Sequence, residues 1–454
     1  MSNPRLSNDS PTVIDAIGRI DCGKDAAKHF GFAKNYMNLN HGSFGTYPLE
    51  IRSVLRHFQD QHEERPDWFI RYEYPRLNDE ARTAIAKYLR ASVEAVVFVP
   101  NASTGVNTVL RNLVYQPGDI IIYFATIYGS CHKTIEYITE TTPALSRKVE
   151  YTYPISDKDL CSKFEATIRK IKAEGKNPRI AVFDTIVSMP GVRMPFEELT
   201  RLCKSHGVLS MIDAAHSVGQ IPLNLTELDP DFFVSNCHKW LHTPRACAVF
   251  YVPERNHHLM RSSLPTSHGF VPLDDGGQVS PLPPSSKSVF VNNFEFVGTL
   301  DSSPYLCIPA ALQWRSQLAY KDLQGEEAIF AYDEELAREG GQKVAAILGT
   351  EVMDNPEQTL TKCSFANIQL PLSYREITGG DYGTAVKIAR WISQVLVDQH
   401  NTFLALLIHD DKFWVRLSAQ VYLTIEDFEW AGRALQQVCD RARNREWQDG
   451  KSKI

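Results

Sequence analysis

Two side chains in this sequence stand where an open α/β sheet does its chemistry. The apolar run VLSMI leads into Asp213, and FFVSNCH leads into Lys239, so each residue closes a segment with the composition of a buried strand. Ligands bind at the carboxyl ends of such strands. A carboxylate there can keep a heteroaromatic nitrogen protonated and make the ring an electron sink. A lysine there can form an imine with an aldehyde and afterwards carry a proton at Cα. Either residue alone reads as a cap or a surface group; together, with polar neighbours around both, they read as a site.

The neighbours extend that chemistry. His216, three residues after Asp213, can hydrogen-bond a phenolic oxygen on such a ring, the competing reading being a helix-surface histidine. Ser235 and His238 flank Lys239 and can donate to a phosphate, although Ser235 reads equally well as a turn residue. Asn101-Ala102-Ser103-Thr104-Gly105 follows a strand-like run and opens a helical one. Its backbone N–H groups and the Ser103 and Thr104 hydroxyls form the kind of helix start that cradles a phosphate, and the same residue types are ordinary helix caps.

The elements that must position these groups follow from periodicity. Short apolar runs at 95–99, 119–124, 180–183, 208–212, 232–235 and 247–252 alternate with helical patterns, among them 196–206. Continuous apolar strands alternating with helices predict an α/β fold with a mainly parallel sheet covered on both faces. Residues 1–35 read as a loosely ordered lead-in, and 49–62 and 75–89 as helices. The run GFVPLDDGGQVSPLPPSSK, with a loop at 270–288, is a surface excursion that serves either as a lid or dimer contact or as a tolerated insertion. A long helix over 326–348 leads to strands at 361–370, 403–408 and 413–419 and a closing helix at 425–444. The expected organisation is a lead-in (1–35), a large domain (36–305) and a smaller α+β domain (306–454) joined by part of the N-terminal segment.

Composition narrows the function classes. The 454 residues are 43% hydrophobic and 22% charged with a formal net charge of −6, ordinary for a globular protein. No basic block marks nucleic-acid binding, and no apolar stretch has the length of a membrane span. The start of the chain lacks the features of a signal or transit peptide. Nine scattered cysteines without a CxxC pair point to free thiols, no metal site and a reducing compartment, so a cytoplasmic location is expected.

The combination NASTGVNTVLR, DAAHSVG, SNCHKW, NFEFVGT and WVRLS resembles the class V aminotransferases, a fold-type-I family dependent on pyridoxal 5′-phosphate (PLP). The resemblance runs over roughly residues 36–440. It implies PLP as cofactor, Lys239 as its Schiff-base lysine, Asp213 as the pyridine-nitrogen partner and His216 at the phenolic oxygen. Ser103, Thr104, Ser235 and His238 fall at phosphate-side positions. Thr299 corresponds to a phosphate contact from the neighbouring subunit of a homodimer. Arg416 matches the arginine that clamps the substrate carboxylate, a task suited to its bidentate fork.

Longer segments, including NLNHGSFGTYP, FATIYGSCHKTIEYI and FEFVGTLDSSPY, are similar to fungal hercynylcysteine sulfoxide lyases. That likeness implies carbon–sulfur bond cleavage by Cα deprotonation and β-elimination, yielding a thiol-type product, pyruvate and ammonia, in ergothioneine synthesis. Tyr128 is then the candidate general acid, against the alternative of a stacking or packing aromatic. Asn40 and His41 would line the substrate pocket, against plain turn formation around two glycines. The competing functions are an epimerase or ring-forming cyclase using the same Cα carbanion, and a cysteine desulfurase. The last needs a mobile nucleophilic cysteine, and Cys363, the one in a plausible region, reads as a structural thiol in a buried strand.

Overall fold

The computed structural model describes residues 18–274 and 282–448. In chain order the strands are β1 (Ile20–Asp21), β2 (Val96–Val99), β3 (Asp119–Phe124), β4 (Leu145–Val149), β5 (Asn177–Asp184), β6 (Leu209–Asp213), β7 (Phe232–Asn236), β8 (Ala248–Tyr251), β9 (Leu318–Tyr320), β10 (Leu323–Gln324), β11 (Phe365–Gln369), β12 (Ala405–His409) and β13 (Lys412–Ser418). Seven of them form the central sheet in the order β2-β8-β7-β6-β5-β3-β4. The segments between them supply crossover helices, so β7-β6-β5-β3-β4 pair in parallel, whereas β8 runs antiparallel to both β7 and β2. Apolar runs carry no direction, and the antiparallel β8 is a feature the sequence pattern left open.

Most residues of β2, β3, β5, β6, β7 and β8 are buried, as their Val/Ile/Phe-rich content requires when helices cover both faces. Every residue of β2 and β7 is buried. The helices Ala102–Asn112 and Gly129–Thr141 pack one face through Val106, Val109, Leu110, Ile135 and Ile138. The helices Asp157–Ala173 and Phe196–His206 pack the other through Phe164, Ile168, Leu199 and Cys203. Each such side chain contributes about 1.5–3 kcal/mol on leaving water.

A second sheet, β11-β13-β12, is antiparallel and lies under the long helices Glu326–Leu348, Tyr382–His400 and Ile425–Arg443. Here β13 pairs with β11 so that Arg416 faces Asn367. The third sheet joins distant chain segments: β1 pairs in parallel with β9, and β10 closes on β9.

Several expectations are corrected. The lead-in is packed from its first described residues, with Ile20, Ala26 and Phe30 buried in the core beneath the second sheet; its short strand was invisible because two residues carry no alternation. β4 was missed because LSRKV is an exposed edge strand with one fully buried residue. The helix Asp157–Ala173 was legible in its Leu160, Phe164, Ile168 spacing and went unread. The strand expected at 361–370 begins at Phe365, so Cys363 sits in the preceding turn. Of the 270–288 loop, residues 275–281 lie outside the described residues. No helix among the described residues is long and apolar enough to cross a membrane, and none of their His, Cys, Asp or Glu clusters could hold a metal ion.

Candidate active site

Three neighbouring strands deliver three charged residues to one place. β5 ends on Asp184, β6 on Asp213, and β7 runs through Asn236 into the short turn of helix Cys237–Trp240 that carries Lys239. Asp184 and Asp213 are register partners in the parallel pair, so both carboxylates rise from the same sheet edge. The resulting cavity, of about 180 Å³, is lined by these three residues together with Ser43, Phe44, Asn101, Ser103, Tyr128, Ser188, His216, Asn236 and His238.

Lys239 is half-buried, and loss of water drops its amine from the usual lysine value to about 8, against the pull of Asp213. Its Nζ lies 3.3 Å from His216 Nε2. Trp240 donates its indole N–H to His216 Nδ1 at 3.3 Å, so the neutral ring carries its proton on Nε2, facing the lysine. Burial, and then the Lys239 charge, hold the His216 pKa well below the ordinary histidine value.

Asp213 accepts from the Cys131 thiol at 3.2 Å and from the Ala215 N–H at 3.1 Å. Burial raises its pKa, while Cys131, Lys239 and Ala215 pull it down. A carboxylate at a strand end with thiol and amide donors already in place is built to meet a cationic nitrogen.

The helix start at Asn101 divides its labour differently from expectation. Asn101 caps the helix by accepting from the Thr104 N–H at 2.9 Å, and the Thr104 hydroxyl is bound to the same oxygen at 3.1 Å. Thr104 is therefore spent on the cap and does not line the cavity; Ser103 does. Asn236 accepts from the Ala102 N–H at 2.8 Å and ties this helix to the lysine strand.

Two further phosphate-side expectations are corrected. Ser235 is fully buried, its hydroxyl donating to Ala214 O at 2.5 Å and accepting from the Val218 N–H at 3.0 Å. Strand alternation turns it off the cavity edge and gives that edge to Asn236. His238 lines the cavity, but its Nδ1–H is given to the Cys247 carbonyl at 3.0 Å, and burial lowers its pKa to about 4. That bond leaves its other ring nitrogen for the cavity side. Thr299 does not line this chain's cavity and is exposed.

Arg416 projects from β13 and is fully buried. It donates to Ser188 O at 2.6 Å, to Asn40 Oδ1 at 3.0 Å and to Ser43 Oγ at 3.0 Å, and its guanidinium lies 4.5 Å from the centre of the Phe365 ring. No acidic side chain pairs with it among the described residues, its Nε has no partner, and burial pulls its pKa down to about 10. A buried arginine without a counter-ion is costly unless an anion comes to it.

His41 does not line the lysine cavity. Its Nε2–H bonds the Lys239 carbonyl and its Nδ1 accepts from the Tyr422 hydroxyl at 3.0 Å. Asn40 acts at one remove, by holding Arg416. Their turn seats against the lysine through Gly45, whose φ of 65° and lack of a side chain are both required: a Cβ there would fall 1.8 Å from the His238 carbonyl oxygen. Tyr128 stands at the cavity rim, 49% exposed.

The residues present fit PLP. Lys239 offers an amine for the aldehyde, Asp213 a carboxylate for the ring nitrogen and Ser103 the first turn of a helix for the phosphate, and Asp184, whose Oδ2 has no hydrogen-bond partner, lines the same space. Sequence reasoning missed Asp184, Ser188, Asn236 and Cys131. Asp184 had a signal, since the run AVF ends on it as SMI ends on Asp213.

The fold and cavity define a fold-type-I PLP enzyme, and comparison with known proteins agrees. The family model "Aminotransferase class-V" matches residues 73–370, and the chain belongs to that family. "L-cysteine desulfhydrase-like protein lolT1" of Epichloe uncinata is 38% identical, covering 94% of this chain and 98% of the relative. "Hercynylcysteine sulfoxide lyase" of Schizosaccharomyces pombe is 29% identical over 92% and 98%. The structure of C-DES with glycine covalently linked to its PLP cofactor superposes with a TM-score of 0.69 at 16% identity, over 90% of this chain and 98% of that one. The chain is a PLP-dependent enzyme of the carbon–sulfur-cleaving, cysteine-desulfhydrase-like group within its family.

Proposed function

We propose that this enzyme cleaves the Cβ–S bond of a cysteine-derived substrate by β-elimination, releasing pyruvate and ammonia after hydrolysis. The observation that carries the reading is Arg416: a buried, acid-free guanidinium beside a cavity that ends on Lys239. It suits the α-carboxylate of an amino acid, taken in a two-pronged grip. PLP, when bound, supplies the electron sink that makes the Cα proton acidic. Lys239, with an amine tuned to about 8, takes that proton once released from the cofactor. His216 presents Nε2–H to the same nitrogen and orients it. Asn40 and Ser43 fix the arginine fork, so the Cα–H bond is presented to the lysine in one orientation.

The finer reading is a sulfoxide conjugate such as hercynylcysteine sulfoxide, in ergothioneine biosynthesis, with Tyr128 at the rim protonating the departing sulfenate. The Schizosaccharomyces pombe relative supports it. The name of the 38% relative favours a simpler substrate, cysteine itself, with sulfide leaving. A homodimer, with Thr299 reaching the neighbour's phosphate end, completes the proposal, as does a cytoplasmic location. The desulfurase alternative lacks its acceptor. Eight of the nine cysteines are buried and Cys22 is half-buried, while Cys363 points its thiol at the Gly191 and Leu360 carbonyls. Incubation with hercynylcysteine sulfoxide, S-alkyl cysteine sulfoxides and cysteine tests the reading. Pyruvate from at least one of them is expected. No pyruvate from any, with Cα–hydrogen exchange intact, gives the assignment to the epimerase or cyclase alternative.

A further inference from the structure

A second cavity, of about 330 Å³, adjoins the lysine cavity. Phe32, Tyr36, Phe44 and Phe403 line it, with Asn40 and Arg245 among its polar groups. Phe403 comes from the segment before β12, far along the chain from the other three, so the fold and not local composition brings the rings together. Phe32 and Tyr36 stand with ring centres 6.0 Å apart, tilted by 48°. Phe44 is 69% exposed and Phe403 42%. Large apolar rings gathered in a concavity beside a reactive site, and left in water, have the character of a ligand groove.

Two features join this space to the chemistry. Phe44 lines both cavities. The Arg416 guanidinium is held by Ser43, which lines the lysine cavity, and by Asn40, which lines the second. A substrate whose α-carboxylate lies on Arg416 therefore has its sulfur within short reach of the shared wall. The lysine cavity, about 180 Å³, has the cofactor to hold, so a bulky group on sulfur needs the second space. The backbone beside Phe44 is pinned where Gly45 meets the His238 carbonyl, whereas the exposed ring has room to yield.

Charge narrows the occupant. Among the described residues no Asp or Glu lines the second cavity, and Arg245 is its only Lys or Arg. Arg245 donates to the Gly45 carbonyl at 3.0 Å, which anchors it at the neck between the two spaces. A guanidinium set among aromatic rings with no acid beside it attracts an anion and repels a cation. We propose that the second cavity is a subsite for the group carried on the substrate's sulfur, and that it selects an aromatic ring bearing a carboxylate. The phenyl and phenol rings take the faces of that ring, and Arg245 takes its carboxylate. This assignment rests on the β-elimination reading above and names the substrate class within it.

The test uses the S-methyl, S-benzyl and S-(4-carboxybenzyl) sulfoxides of cysteine with purified holoenzyme. Dissociation constants are read from the change in visible absorbance on rapid mixing, and kcat/KM from pyruvate release. Binding should tighten from methyl to benzyl to carboxybenzyl. Phe44, Phe403 and Arg245 are exposed, so their replacement leaves the core intact. Phe44→Ala and Phe403→Ala should each cut the benzyl-over-methyl preference about tenfold, and Phe44→Trp should keep it. Arg245→Gln should cut the carboxybenzyl-over-benzyl preference about tenfold, with part of it restored in Arg245→Lys. Binding is read without carbon–sulfur cleavage. Absence of pyruvate from all three conjugates would thus strike the lyase reading, while the binding preferences still decide the subsite. Unchanged preferences in the ring variants overturn the proposal, as does failure of all three conjugates to bind. It is equally overturned if the ring variants break up an oligomer in sedimentation with no change in preference, since the rings then pack against a second copy of the chain. An unchanged preference in Arg245→Gln overturns the choice of an anionic group.

Discussion

The indole nitrogen of Trp240 lies 3.3 Å from Nδ1 of His216, and the imidazole's other nitrogen lies 3.3 Å from the amine of Lys239. Because an indole only donates, this contact selects the tautomer, and the residue after the lysine thereby sets the proton that the lysine sees. Trp240→Phe keeps an apolar ring in this fully buried position and removes the donor. We expect kcat to fall roughly tenfold with a destabilisation of about 1–3 kcal/mol from the space left behind. Steady-state kinetics alongside thermal melts separate the two effects, and an unchanged kcat would show that the tautomer is held by something else.

Arg416 gives a prediction with two opposite signs. Its guanidinium is buried without an acid, so Arg416→Met removes an uncompensated charge. The apoenzyme should melt at the same temperature as wild type or higher. kcat/KM should fall about 100-fold or more with the loss of the forked carboxylate contact. Arg416→Lys, which keeps charge but not the fork, should recover only part of it. Activity retained in Arg416→Met would remove the carboxylate clamp from the account.

Acid stability follows from His41. Its pKa is lowered from 6.5 to about 3, first by burial, while the bond to the Lys239 carbonyl opposes the shift. The folded value lies below the unfolded one, so the stabilisation is complete above about pH 6.5 and is lost as pH falls toward 3. Melting temperatures should therefore drop between about pH 7 and about pH 5. His41→Gln, which retains a donor for the Lys239 carbonyl, should flatten that slope. His238, lowered to about 4, adds to the same slope and remains in the variant.

Tyr128 separates elimination from proton abstraction. Standing at the rim, 49% exposed, it can reach a leaving group without touching the Cα proton. Tyr128→Phe should cut pyruvate release from a sulfoxide substrate by roughly 10²–10⁴-fold while Cα–hydrogen exchange in deuterium oxide continues. Equal loss of both would place the tyrosine at the cofactor and not at the leaving group.

Much of this site was legible in the sequence because strand ends in a parallel sheet leave a signature: an apolar run that stops on a charged residue. Asp213 and Asp184 carry it, whereas Lys239 stands three residues beyond the end of β7, in the helical turn Cys237–Trp240. Side-chain direction was not legible. Ser235 and Asn236 are consecutive, and only strand register decides that the asparagine takes the cavity edge. His41 and Asn40 are expected from the sequence to line the pocket, but they hold the Lys239 carbonyl and Arg416, 198 and 376 residues away. The packed β1 segment was lost for the same reason, as its pairing with β9 spans most of the chain.

The central claim is that Lys239 holds PLP at the head of this constellation. Borohydride reduction of the purified holoenzyme, followed by proteolysis and mass spectrometry, tests it directly. The predicted result is one modified peptide, bearing the reduced cofactor on Lys239, and none in Lys239→Ala. Cofactor fixed on a different lysine, or carried unchanged by Lys239→Ala, would contradict the account.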